Sequence, residues 1–194
     1  SEEDILFSWD FGDDSDLVEG YGLTTPKHIY QDDGIYTVIL TVSVDTLESS
    51  LVAFIFVSNV PPEIIGISQN GDKEGEDVVL IGHARDVYYD NITYLWDFGD
   101  GYTGTGMNAT HVFGDNGNYS VTLTVFDEDK SYNVSTFIVP ILNVAPSISF
   151  EEANITIEGL TAKMEVAVYD VPTDDLTVVW YFGDGSSETG GYVE

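Results

Sequence analysis

The feature that most constrains this chain is a repeat. The segment Trp9-Asp10-Phe11-Gly12-Asp13-Asp14 returns as Trp96-Asp97-Phe98-Gly99-Asp100-Gly101 and again as Trp180-Tyr181-Phe182-Gly183-Asp184-Gly185. The three Trp residues stand 87 and 84 positions apart. A second motif follows the first two copies: His28-Ile29-Tyr30 then Gly34-Ile35-Tyr36-Thr37-Val38, and His111-Val112-Phe113 then Gly117-Asn118-Tyr119-Ser120-Val121. A third marks the joints, Asn59-Val60-Pro61-Pro62 and Asn143-Val144-Ala145-Pro146. Three signals in one order at matching spacing define a duplicated unit of about 84 residues. With 43% hydrophobic and 13% aromatic residues, the chain can fill more than one core.

Within each unit the pattern is that of strands. Tyr119 to Val125 and Tyr36 to Val42 place large apolar side chains on every second residue, with mostly Ser and Thr between them. Lys163 to Val168 alternates in the same way. Such alternation marks strands with one buried and one wet face. No apolar stripe of helical period persists anywhere. Short strands separated by Gly, Asn and Asp predict an all-β, antiparallel sandwich in each unit. In the Trp-x-Phe-Gly-Asp motif, Trp and Phe point inward on one face and Gly-Asp-Gly closes a tight turn.

Taken together, Trp96-Asp97-Phe98-Gly99-Asp100-Gly101, His111-x-Phe113 and Gly117-x-Tyr119-x-Val121-x-Leu123-x-Val125 resemble the polycystic-kidney-disease (PKD) repeat. The resemblance covers nearly the whole chain. It implies tandem immunoglobulin-like sandwiches of about seven strands, and a spacer, adhesion or binding role in place of chemistry. Domains of this kind occur in polycystins, in archaeal surface-layer proteins and beside the catalytic parts of secreted collagenases and chitinases. The third unit departs from the pattern, with Tyr181 where the others carry Asp and no His-x-Tyr half.

The units are expected at residues 1–60, 61–144 and 145–194. The central one is complete, with 35 residues before its Trp and 48 after. The first has only eight residues before Trp9 and should lack its first two strands. The third stops 14 residues after Trp180 and should be the N-terminal half of a sandwich. Aligned on Trp, the two partial units span one whole repeat between them. Two expectations follow: half-sandwiches of neighbouring copies complete each other head to tail as a filament or lattice, or the chain is a piece of a longer array.

Charge narrows the partners. Thirty-five acidic residues against five basic ones leave a formal net charge of −30. Such a surface repels nucleic-acid phosphates and anionic membranes, and attracts cations. A chain this acidic is also one suited to solubility or to high salt. Cysteine is absent, which removes thiolate metal sites, redox dithiols and disulfides from consideration. No apolar run is long enough to span a membrane and no signal peptide opens the sequence.

No nucleophile elbow or zinc-helix motif is present, so no enzyme is expected. Calcium is the sharper expectation. Asp86 and Asp90 lie ten and six residues before Trp96, and Asp170 and Asp174 hold the same places before Trp180. In an immunoglobulin-like sandwich that loop shares an end with the Asp127-Glu128-Asp129 loop, and the joint bearing Asn59 and Glu63 enters there too. Asn59, Glu63, Asp86, Asp90, Asp127 and Asp129 are therefore the candidate Ca²⁺ ligands, since Ca²⁺ takes six to eight oxygens. A solvated acidic loop end accounts for the same residues equally well. Asn91, Asn108, Asn118, Asn133 and Asn154 each begin an Asn-x-Ser/Thr glycosylation signal.

The expected function is that of an extracellular structural spacer in a surface-layer, sheath, stalk or filament protein. Its partners would be neighbouring copies or flanking domains of the same protein. The alternative is a polysaccharide- or protein-binding accessory module of a secreted hydrolase or adhesin. A flat row of aromatics would favour the alternative, and Tyr88, Tyr89 and Tyr102 are its candidates.

Overall fold

The computed structural model describes residues 5–87, 90–153 and 164–190. Every regular element among them is a strand. In chain order they are β1 (Leu6–Asp10), β2 (Val18–Tyr21), β3 (Gly34–Val44), β4 (Leu47–Val57), β5 (Glu63–Asn70), β6 (Asp77–Arg85), β7 (Thr93–Asp97) and β8 (Thr103–Thr105). There follow β9 (Asn108–Val112), β10 (Gly117–Phe126), β11 (Tyr132–Ile141), β12 (Ser147–Ala153), β13 (Met164–Tyr169), β14 (Val178–Tyr181) and β15 (Ser187–Gly190).

The sheets follow the repeat. The first copy forms one sheet in the order β2-β1-β3-β4. The second forms two, β5-β6-β9 and β11-β10-β7-β8, and the third forms the pairs β12-β13 and β14-β15. The chain thus folds as tandem immunoglobulin-like β-sandwiches. The hairpin strands β3 and β4 pair without a break from Gly34↔Val57 to Val44↔Leu47. That pairing is stable because Val, Ile, Thr and Phe fit a pleated surface.

By compactness the chain divides into two units. One comprises Ser1–Ile65, Ala84–Thr93 and Thr124–Asn133. The other comprises Gly66–His83, Tyr94–Leu123 and Val134–Glu194.

In the second of these, Val78 and Leu80 from β6, Trp96 from β7, Val121 and Leu123 from β10, and Val139 from β11 are fully buried. Phe98 and Phe113 join them. The alternation in β10 therefore does face a core on one side, as expected. In the first unit the equivalent strand is wetter, and of β3 only Val38 is buried, with 7% of its surface still exposed. β4 is exposed on both faces, with Phe54 63% and Phe56 74% accessible.

The Trp-x-Phe-Gly-Asp motif is a turn built from its own side chains. Gly99 and Gly101 both have positive φ. Asp97 Oδ1 accepts from the Gly99 N–H at 3.0 Å, and Asp100 Oδ1 accepts from the Tyr102 N–H. A Cβ on Gly99 would lie 2.7 Å from the Ser120 carbonyl oxygen, so the turn can press against β10 only as glycine. The Trp96 indole N–H donates to the Gly106 carbonyl at 2.9 Å, which satisfies the one polar atom of a fully buried ring.

Candidate metal centres

The histidines of the repeat are structural. His111 Nε2 meets Asp100 Oδ2 at 2.6 Å and its ring stacks on Phe98 at 4.1 Å. His28 repeats both contacts, with Asp13 Oδ2 at 2.6 Å and Phe11 at 4.0 Å. The imidazole thus caps the inward aromatic of the turn and is fixed by the turn's own aspartate. In the first copy Ser15 Oγ also donates to Asp13, at 2.6 Å. The order is then Ser-Asp-His, with the carboxylate in the middle. A nucleophilic triad needs the imidazole against the hydroxyl, so this arrangement gives the serine no base. The Ser15 hydrogen bonds, with help from His28, hold the Asp13 carboxyl below its usual value. His83, outside the repeat motif, shares a hydrogen bond with Ser68 on an exposed strand face.

The acidic loops are organised differently. Asp86 and Asp90 lie between β6 and β7, and Asp127 follows β10. One carboxylate oxygen from each lies within 4.8 Å of the others. Asp127 is buried, although it is an aspartate in a chain of net charge −30. Its Oδ1 accepts from the Ser131 N–H at 2.8 Å and its Oδ2 from the Asn59 amide at 2.7 Å. The Asn59 amide also donates to Ser131 Oγ at 2.9 Å, which pins the segment before β5 to this loop.

Asp86 Oδ2 and Asp90 Oδ1 are buried and have no hydrogen-bond partner. A buried anionic oxygen without a partner is costly unless a cation meets it. Among the described residues no Lys or Arg pairs with this group: Lys73 pairs with Glu76 and Arg85 with Glu63. Burial and the neighbouring Asp86 push the Asp90 carboxyl above its usual range, with Asp32, Glu128 and Asp129 adding to the effect. Donors that are all oxygen, partly buried and unneutralised suit a hard divalent cation. Ca²⁺, which accepts six to eight oxygens in flexible geometry, is the cation of this kind that such loops suit best.

Of the six residues expected from sequence, Asn59, Asp86, Asp90 and Asp127 come together. Glu63 does not. It sits at the start of β5 and binds Arg85 at the end of β6, 2.6 Å away, because strand pairing sets the two ends side by side. Asp129 belongs to a neighbouring group with Asp32 and Asp33, again within 4.8 Å. Partial desolvation and the charge of Asp33 raise its carboxyl. Asp32 and Asp33 went unnoticed in the sequence. The signal was there, since Asp32 and Asp115 occupy the same place two residues before the Gly-x-Tyr of each copy.

Four of the five glycosylation signals fall on described residues, and Asn91, Asn108, Asn118 and Asn133 are all exposed. The Asn91 amide donates to Glu128 and that of Asn133 to the Pro62 carbonyl. Asn154 lies outside the described residues, as do Tyr88 and Tyr89. Tyr102 is 67% exposed and tilts against His111, at 5.6 Å between ring centres.

A model of the PKD domain matches residues 2–51 and 59–140. The chain belongs to the PKD-domain family. Among curated proteins, collagenase ColA of Bacillus cereus is 43% identical over 65 residues, 33% of this chain and 7% of that protein. The microbial collagenase of Vibrio alginolyticus is 35% identical over 86 residues, 44% of this chain and 11% of the collagenase. Human polycystin-1 is 28% identical over 197 aligned positions, which cover 95% of this chain and 4% of polycystin-1. The chain therefore spans about a tenth or less of these relatives, and in the collagenases the likeness is confined to a small part of each enzyme.

Proposed function

We propose that this PKD chain is a non-catalytic accessory module of a longer exported protein, with calcium holding its loops in place. The PKD match supports the first half of this reading, because the collagenases share only a PKD-like portion with the chain. Flanking parts of the same polypeptide would be its natural partners, and the expected units at 1–60, 61–144 and 145–194 its building blocks. The surface-layer, sheath or filament reading draws no support from these relatives. An accessory role beside a secreted hydrolase or in an adhesin fits them better.

The observation that carries the second half is the pair of buried, unpartnered oxygens, Asp86 Oδ2 and Asp90 Oδ1, beside buried Asp127. A Ca²⁺ ion there would draw the β6–β7 loop, the β10–β11 loop and the Asn59 segment onto one centre. The chain's own residues do the positioning. Ser131 and Asn59 each fix one oxygen of the Asp127 carboxylate, and the Val87 N–H fixes Asp86 Oδ1 at 2.8 Å. Each engaged oxygen keeps a further lone pair for the metal.

Calorimetric titration of CaCl₂ into the full chain at physiological salt tests this. Saturable binding that Asp90→Asn weakens roughly tenfold or more is expected, since affinity follows ligand charge count. Binding unchanged by Asp90→Asn sinks the calcium assignment.

A further inference from the structure

A second acidic group stands at the beginnings of β6 and β10, where the Asp86 group stands at their ends. Glu74 lies in the β5–β6 connection, Asp115 just before β10, and Asp174 between β13 and β14. One carboxylate oxygen of each falls within 4.8 Å of the others.

What separates this cluster from ordinary surface acid is Glu74. The residue is 1% exposed, one of two buried polar residues among the described residues. Its Oε1 accepts from the Val144 N–H at 2.6 Å, and its Oε2 is buried with no partner. The backbone leaves it little freedom to escape. The Glu74 N–H donates to the Leu142 carbonyl, the Gly75 N–H to the Phe113 carbonyl, and the Leu142 N–H back to Asp72. Gly75 has φ +68°, and a Cβ there would strike the Val171 side chain at 2.7 Å. The segment is thus strapped on three sides with its carboxylate turned inward.

Two further residues complete the surroundings. The Asn143 amide stands 3.1 Å from Glu74 Oε1 and 3.3 Å from Asp174 Oδ2. With its nitrogen on that side it donates to both carboxylates. With its oxygen on that side it adds a fourth oxygen donor. Thr173 Oγ1 donates to the Gly114 carbonyl, which ties the Asp174 loop to the Asp115 loop. Burial and then the charge of Glu74 push the Asp174 carboxyl upward. The adjacent Lys73 offers no relief, for it turns to Glu76 at 3.6 Å.

We infer that Glu74, Asp115 and Asp174, with Asn143, form a second calcium site, which joins the β5–β6 turn, the loop before β10 and the β13–β14 loop. It shares no ligand with the Asp86 group and stands or falls apart from it. Mg²⁺ is the poorer fit, because it demands near-ideal octahedral geometry and sheds water reluctantly, whereas Ca²⁺ tolerates irregular all-oxygen sets.

The test uses the whole chain carrying Asp90→Asn, so that the Asp86 group is weakened and a tighter remaining site is read apart from it. Calorimetry with CaCl₂ against a constant excess of MgCl₂ should still show one saturable site. Adding Glu74→Gln should weaken that site roughly tenfold or more, and so should Asp115→Asn. Asp115 is exposed, so its variant folds even where Glu74→Gln disturbs the turn. Titration of the Asp90→Asn chain with no saturable calcium uptake overturns the inference. So does uptake that neither Glu74→Gln nor Asp115→Asn diminishes, or that Mg²⁺ abolishes at equal concentration.

Discussion

Replacing Trp96 with alanine should strongly destabilise the sandwich that contains it. The ring has no accessible surface, and Phe98, Leu80 and Leu123 of the same unit are about as deeply buried. Truncating such a residue removes its transfer free energy and leaves a cavity, together about 3–5 kcal/mol. The lost indole hydrogen bond adds little, because Gly106 is exposed and water replaces the donor at its carbonyl. Against a domain stability of roughly 5–15 kcal/mol, this loss takes much of what holds the fold. Trp9 is a control within the same molecule. It has the same motif and the same kind of indole hydrogen bond, to Leu23, but is only half-buried. Trp9→Ala should therefore cost less, about 1–3 kcal/mol. Urea denaturation followed by far-ultraviolet circular dichroism measures both. A Trp96→Ala chain within about 0.5 kcal/mol of wild type, the usual range for surface substitutions, would refute the assignment of this ring as the core anchor.

Three other outcomes are expected. Gly99→Ala should destabilise by roughly 1–3 kcal/mol in the same assay, given its φ of +83° and the Ser120 carbonyl in its path, while Gly114→Ala, which meets nothing, should be near neutral. Asp13 has a lowered folded-state pKa, so its contribution is present above the unfolded value of about 3.9 and fades as pH falls through the lower folded value. The stability gap between wild type and Asp13→Asn should accordingly be constant near neutrality and close in acid, and a gap that widens in acid would reverse the sign of this argument. Incubation with peptide and glycan substrates should give no turnover; hydrolysis lost on changing one acidic residue would establish an enzyme.

What could be read from the sequence was whatever repeats or alternates. Trp96, Phe98 and the β10 series recur at fixed spacing, and the period marks their inner face but not their depth, since Trp9 is only half-buried and Phe182 is 42% exposed. The turn glycines were legible because few other residues accept positive φ. The candidate metal residues were legible only in part. Asp86 and Asp90 stood out through their copies at Asp170 and Asp174. Glu63 was misplaced because its partner Arg85 is 22 residues away and is brought beside it only by the pairing of β5 with β6. Glu74 was hidden in the run Asp72-Lys73-Glu74-Gly75-Glu76-Asp77, which reads as a solvated turn. Nothing local tells the one acid that turns inward from its neighbours. That difference comes from the straps to Leu142 and Phe113, which are contacts distant in sequence.

The most direct test of calcium at the buried acids is a thermal melt of the full chain in EDTA and in millimolar Ca²⁺. A ligand that binds only the folded form stabilises it by about 2.7 kcal/mol at a hundred times its dissociation constant. The midpoint should rise with Ca²⁺ in the wild type, rise less in Asp90→Asn, and rise least when Asp90→Asn and Glu74→Gln are combined. Equal midpoints for the wild type in EDTA and in Ca²⁺ would contradict the account.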